Sequence, residues 1–175
     1  MINSPWPATV LVIGDSFSDY PAIPDWTVKA AASGLSFVNA ASSGKCLSDT
    51  TGPLGADTVL ASISADLAAN PGADIVVWVT SAINDVLRFK QGLSVATLAG
   101  LLADAATVMD AILAAGKGVI VMTVPFTQAF IFGLGAGTQP QSEAAQTLRL
   151  AFNEGLKTYA ASHANCVCYE PKWLY

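Results

Sequence analysis

Histidine is nearly missing from this sequence: His163 is the only one in 175 residues. A serine nucleophile normally needs an imidazole base, so any hydrolytic reading has one histidine to work with. Positive charge is also sparse, with 8 Lys and Arg against 13 Asp and Glu and a net charge of −5. No basic cluster is available to track a phosphate backbone, which argues against nucleic acid as a partner. The three cysteines, Cys46, Cys166 and Cys168, are odd in number and too few for a disulfide framework. Cys166 and Cys168 alternate along one expected strand, unlike the CxxC of zinc sites, and read as small core residues; no metal or cofactor is implied. Although 53% of the residues are hydrophobic, no apolar run approaches the roughly 20 residues of a spanning helix, and the expectation is a soluble protein. The start, "MINSPWPATVLVIG", lacks the basic region of a secretory signal. It points to the cytoplasm, or to secretion if a signal has already been removed.

What the sequence does contain is alternation. The length suits one domain over residues 1–175. Continuous apolar runs at 8–13, 74–80 and 119–124 have the character of strands buried on both faces, and weaker strands fit 36–40 and 166–170. Between them lie amphipathic stretches. One runs from a cap at Ser94 through Val95, Leu98, Leu101, Leu102, Ala105, Val108, Met109, Ile112 and Leu113 to Gly116. A second is marked by Val59, Leu60, Ile63 and Leu67 and stopped by the NPG at 70–72. A third is marked by Leu148, Phe152, Leu156 and Tyr159, and a short first helix fits 25–32. Five strands alternating with helices imply right-handed crossovers, and hence an α/β fold: a three-layer α/β/α sandwich on a five-stranded parallel sheet. Ligands of such sheets sit beyond the carboxyl ends of the strands, beside the first one. The loops to search together are those after the first strand, at 40–52, at 80–90 and at 125–141.

Three features fall on that edge. Gly14-Asp15-Ser16 directly follows the first strand, without the second glycine of a GxSxG elbow, since Ser18 stands there. Alone, Ser16 reads equally well as a turn or cap residue. Gly44 lies among small residues after the second strand, where a bare backbone can present its N–H; an ordinary turn glycine is the alternative. Asn84 lies just past the third strand, where its side-chain amide can donate into a cleft or cap a helix. Asp15 and Asp85 read as structural carboxylates that bind loop backbone.

Together, GDS at 14–16, Gly44 and "AIND" at 82–85 resemble the SGNH/GDSL hydrolase family of esterases and lipases, over almost the whole chain. Ala82 stands where that family usually has glycine. The resemblance implies the SGNH hydrolase fold with flavodoxin-like strand order. It also implies hydrolysis of a small acyl ester, with Ser16 as nucleophile and an oxyanion hole formed by the N–H groups of Ser16 and Gly44 and the amide of Asn84. Such donors contribute about 3 kcal/mol each to the transition state.

The family's DxxH block, expected just beyond the last strand, is not in the sequence, which ends "YEPKWLY". Two expectations follow: a domain truncated at its C-terminus, or a member that has lost its base and keeps a binding cleft. His163 is no substitute, because it precedes the last strand while Ser16 follows the first. Parallel strands put those points on the order of 15 Å apart, against a hydrogen-bond reach of about 3 Å. Glu170, at the end of the last strand, remains as a weak base. Phe126, Phe130 and Phe132 in the fourth loop suit an acyl chain, or else simply cover the sheet. A flavodoxin-like module binding phosphate at the GDSFSD turn is the competing reading, but no GxGxxG or P-loop accompanies it.

Overall fold

The computed structural model describes residues 9–14, 35–79, 82–125 and 139–170. Its elements run β1 (Thr9–Gly14), β2 (Ser36–Asn39), α1 (Val59–Ala69), β3 (Ile75–Val79), α2 (Ile83–Lys90), α3 (Leu98–Ala114), β4 (Gly118–Met122), α4 (Gln139–Ala161) and β5 (Cys166–Tyr169). The five strands form one parallel sheet in the order β2-β1-β3-β4-β5. This is the flavodoxin-like order of an α/β/α sandwich, and it places β1 beside the point where the chain reverses its direction across the sheet.

The period of two along each strand divides its side chains between two faces. Leu11, Ile13, Val76, Trp78, Val119, Val121 and Cys166 point to one face and pack with residues of α1, α3 and α4 in the main core. Val10, Val12 and Val79 point to the other and form a second buried cluster with Phe37, Val77 and Met122. Burial on both faces explains why β1, β3 and β4 are continuous apolar runs. On β5, Cys166 and Cys168 share the inward-facing side, neither forms a disulfide, and burial pushes the Cys166 thiol up to about 11.

Each helix is bounded by local chemistry. Thr58 caps α1 by accepting from the Ala61 N–H at 3.2 Å, and Asn70 closes it with its N–H on the Leu67 carbonyl. α3 begins later than the periodicity suggests. Thr97, not Ser94, is its N-cap, accepting from the Gly100 N–H at 3.1 Å. Ser94 instead accepts from the Ala96 N–H in a turn of its own, and Val95, expected on the inner face, is 96% exposed. Two cap-forming residues three apart make either position plausible; the extended backbone of Thr97 decides it. The stretch read as a loop over 80–90 contains α2, so the third loop is short. The fourth loop is shorter than read at its far end, because α4 starts at Gln139. The helix expected over 25–32 lies outside the described residues.

Gly14 ends β1 at φ +125°, and a Cβ there would lie 2.3 Å from the Val79 carbonyl oxygen. Only glycine lets β1 close against the end of β3, immediately before Asp15 and Ser16.

Candidate active site at the carboxyl edge

The loop after β2 continues the sheet pairing beyond the strand. The Ala40 N–H donates to the Val12 carbonyl at 2.8 Å and the Ser42 N–H to the Gly14 carbonyl at 3.1 Å. That second bond fixes the loop against the end of β1, two residues before Ser16. The chain then turns: the Lys45 N–H closes on the Ser42 carbonyl at 3.1 Å, with Gly44 at φ +82° in third position. A type II turn needs a positive φ there, so Gly44 is a turn glycine, two residues on from the Ser42 bond to Gly14.

One turn of α2 holds the rest of the loop. The Asn84 amide donates to the Lys45 carbonyl at 2.9 Å. Asn84 is therefore not a helix cap; Ala82 occupies that position without a side-chain bond. The Asp85 carboxylate, 1% exposed, accepts three successive backbone N–H groups: Leu47 at 2.6 Å, Ser48 at 3.2 Å and Asp49 at 3.1 Å. This is the loop-binding role expected for it. One helical turn further, Arg88 donates to Asp49 at 2.8 Å and to the Thr51 hydroxyl at 2.7 Å. Lys45 is buried and paired with Asp57 at 2.9 Å. The loop's far end is fixed by Val59 and Leu60, whose N–H groups donate to the Cys46 and Leu47 carbonyls at 3.0 Å each.

The charges on this edge respond in opposite directions. Burial pushes the Asp85 carboxyl above its usual range, against the pull of the three N–H donors. Burial also acts upward on Asp49, but the Thr51 and Arg88 hydrogen bonds outweigh it and hold Asp49 below the usual carboxylate value.

The end of β4 is held by α4. Asn153 accepts the Val124 N–H at 2.9 Å and donates to the Val124 carbonyl at 3.0 Å, and Arg149 donates to that same carbonyl at 2.9 Å. The sequence reading missed this pair. Its signal was present, since Arg149 and Asn153 are four apart on a helix face shared with the buried Ala145, Phe152 and Leu156.

The structure thus links Asn84 to the Gly44 turn through the Lys45 carbonyl and ties that turn to the end of β1 through Ser42. Ser16, Asp15, Phe126, Phe130 and Phe132 lie outside the described residues. His163 sits before β5, its ring stacked on Tyr159 at 4.1 Å and its Nδ1 2.9 Å from the Tyr159 carbonyl, at the end of α4 and the amino edge of the sheet. Glu170 is on the carboxyl edge but is exposed and paired with Lys157 at 3.1 Å. Its carboxylate is thus engaged at the surface by a lysine of α4.

No protein-family model and no curated protein sequence matches the chain. Solved structures do. A GDSL-like lipase from Bacteroides thetaiotaomicron is 14% identical with a TM-score of 0.64, over 93% of this chain and 67% of its own. The acetylxylan esterase Axe2 from Geobacillus stearothermophilus, solved as a catalytic mutant, is 20% identical with a TM-score of 0.62, over 92% of this chain and 74% of its own. The psychrotrophic esterase EstA from a Pseudoalteromonas species, inhibited by monoethylphosphonate, is 15% identical with a TM-score of 0.61, over 93% and 78%. The GDS, Gly44 and AIND blocks and the sheet order point the same way, and the chain has the fold of the SGNH/GDSL esterases and lipases.

Proposed function

We propose that this chain is built for hydrolysis of carboxylic acyl esters, with Ser16 as nucleophile. In this reading the oxyanion that forms on the attacked carbonyl is received by the N–H groups of Ser16 and Gly44 and by the Asn84 amide. The observation that carries the reading is the grip of α2 on the Gly44 loop. Asn84 and Asp85 fix that loop from two adjacent positions, and the Ser42 bond to Gly14 fixes it to the strand that leads to Ser16. Donors held in place before the reaction need no reorganisation when charge develops, which is what makes such a site effective. The Lys45 carbonyl takes one of the two hydrogens of the Asn84 amide and so sets the direction in which that amide donates.

The relatives of this fold support the same division of labour, because Axe2 has been solved as both a serine and a histidine catalytic mutant. In the present sequence the one histidine is at the amino edge, so the reading requires a base other than His163. The acyl side of the substrate is assigned to the segment with Phe126, Phe130 and Phe132. The test is turnover of p-nitrophenyl acetate by the protein and by Ser16→Ala. Activity is expected to fall to the level of buffer in the variant; unchanged turnover would remove Ser16 from the reaction.

A further inference from the structure

A cavity of about 410 Å³ opens between residues 48–51 of the loop after β2 and the first two turns of α3. Along α3 its wall runs from Thr97 to Asp104, about 10 Å at the helical rise per residue. The geometry points to a binding site for a small aliphatic primary amine, held as its ammonium ion with the charge at Asp104 and the chain along Leu93 and Val95. Ser16 and the ester reaction play no part in it.

The charge on the wall selects a cation. Asp49, Asp85 and Asp104 line the cavity, and no lysine, arginine or histidine stands among its described lining residues. Arg88 answers Asp49 at 2.8 Å. Asp85 meets only neutral N–H donors, and the Asp104 carboxylate has no hydrogen-bond or ion-pair partner among the described residues. Two carboxylates are thus left without a counter-cation, and an anionic ligand would be repelled. The first turn of α3 alone would attract an anion, but the Thr97 hydroxyl already takes the Gly100 N–H at 3.1 Å. A helix end also carries only roughly half an elementary charge. The spacing of the carboxylates then selects an organic cation: no three His, Cys, Asp or Glu among the described residues are placed to hold a metal ion. The negative charge is spread along the cavity, and an elongated ammonium matches that spread. Its three N–H groups can be met by Asp104 and by hydroxyls such as those of Ser48 and Thr50. Leu93 and Val95, 57% and 96% exposed, offer the alkyl chain an apolar strip. None of the described lining residues is aromatic, so the cage that holds a quaternary ammonium is missing. Residues 48–51 include part of the stretch that Asp85 and Arg88 hold, so a bound ammonium adds a further tie to that loop.

The test measures binding and does not depend on turnover. Amide NMR of the whole 175-residue protein would follow titrations with n-butylammonium, n-butanol, butyrate and choline. Only n-butylammonium is expected to give saturable shifts, centred on residues 48–51 and 93–104, and to slow exchange of the Ser48 and Asp49 N–H groups. Its Kd should rise roughly fivefold or more in Asp104→Asn, which keeps the size of the side chain and removes its charge, and should also rise in Leu93→Ser. The amide spectrum of each variant shows directly that the fold is kept. Binding of n-butanol as tight as that of n-butylammonium would make the cavity an apolar slot, and tighter binding of butyrate would give it to the end of α3. Tighter binding of choline would point to a quaternary cation instead. Each of these results, an unchanged Kd in Asp104→Asn, or the absence of any saturable shift would overturn the proposal.

Discussion

The two edges of the sheet use the same kinds of residue to different ends. At the amino edge, polar side chains finish the backbone. Lys117 donates to the Pro71 and Ala73 carbonyls at 3.0 and 2.6 Å, Asp74 accepts the Thr9 N–H at 3.2 Å, and His163 meets the Tyr159 carbonyl. At the carboxyl edge, Asn84, Asp85, Arg88, Asn153 and Arg149 also bind backbone or loop side chains, but what they hold are the segments that follow β2 and β4. A charged residue is therefore not a functional signal by its type. Under the proposed hydrolysis it becomes one when it holds a loop that has to meet the reacting group, a part the reading gives to Asp85 and not to Lys117.

The comparison breaks most sharply at Asp85. Asp85→Ala leaves three loop N–H groups without their acceptor, at a cost of about 3 kcal/mol or more in urea unfolding, and ester turnover should fall with it. If stability were unchanged, the loop would be held by something other than this carboxylate. Asn84→Ala should act on the reaction rather than on the fold, lowering kcat roughly a hundredfold with KM little changed. A rise confined to KM would make Asn84 a substrate contact instead.

Acid should separate the two carboxylates that meet in holding this loop, Asp49 within it and Asp85 on α2. Asp49 has its folded pKa lowered, so its contribution is present above the usual carboxylate value of 3.8 and is lost as the pH falls through the folded value. Asp85 has its folded pKa raised, so its contribution is greatest below 3.8 and declines as the pH rises through the folded value. Thermal melts across pH 2.5–6 should therefore show less loss on the acid side in Asp49→Asn than in the parent. An identical acid limb in both would show that the Asp49–Arg88 pair adds nothing. The smallest effect belongs to the amino edge: His163→Ala is expected to leave ester turnover unchanged and to cost about 0.5 kcal/mol or less in stability. Loss of turnover in that variant would place the imidazole in the reaction and undo the contrast between the edges.

The strands were legible because β1, β3 and β4 are buried on two faces and so carry unbroken apolar runs. That Gly44 and Asn84 lie at the carboxyl edge was legible because each falls in the segment that follows a strand of the sheet. Other parts were not. α2 has eight residues, barely two turns, which is too few to display a helical period, and its polar residues read as a loop. The start of α3 was displaced because Ser94 and Thr97 are both competent caps. The clamp of Arg149 and Asn153 on Val124 and the cavity between residues 48–51 and 93–97 are relations between distant segments, which no single stretch of sequence encodes.

The proposed hydrolysis requires an activated Ser16, and the one histidine of the sequence, His163, lies at the amino edge. The most direct measurement is the rate at which a fluorophosphonate modifies the protein, followed by intact mass with Ser16→Ala as control, with and without added imidazole. The account predicts a single adduct on Ser16, formed faster as imidazole replaces the base and more slowly in Asn84→Ala. No adduct under either condition, or an adduct that persists in Ser16→Ala, would contradict it.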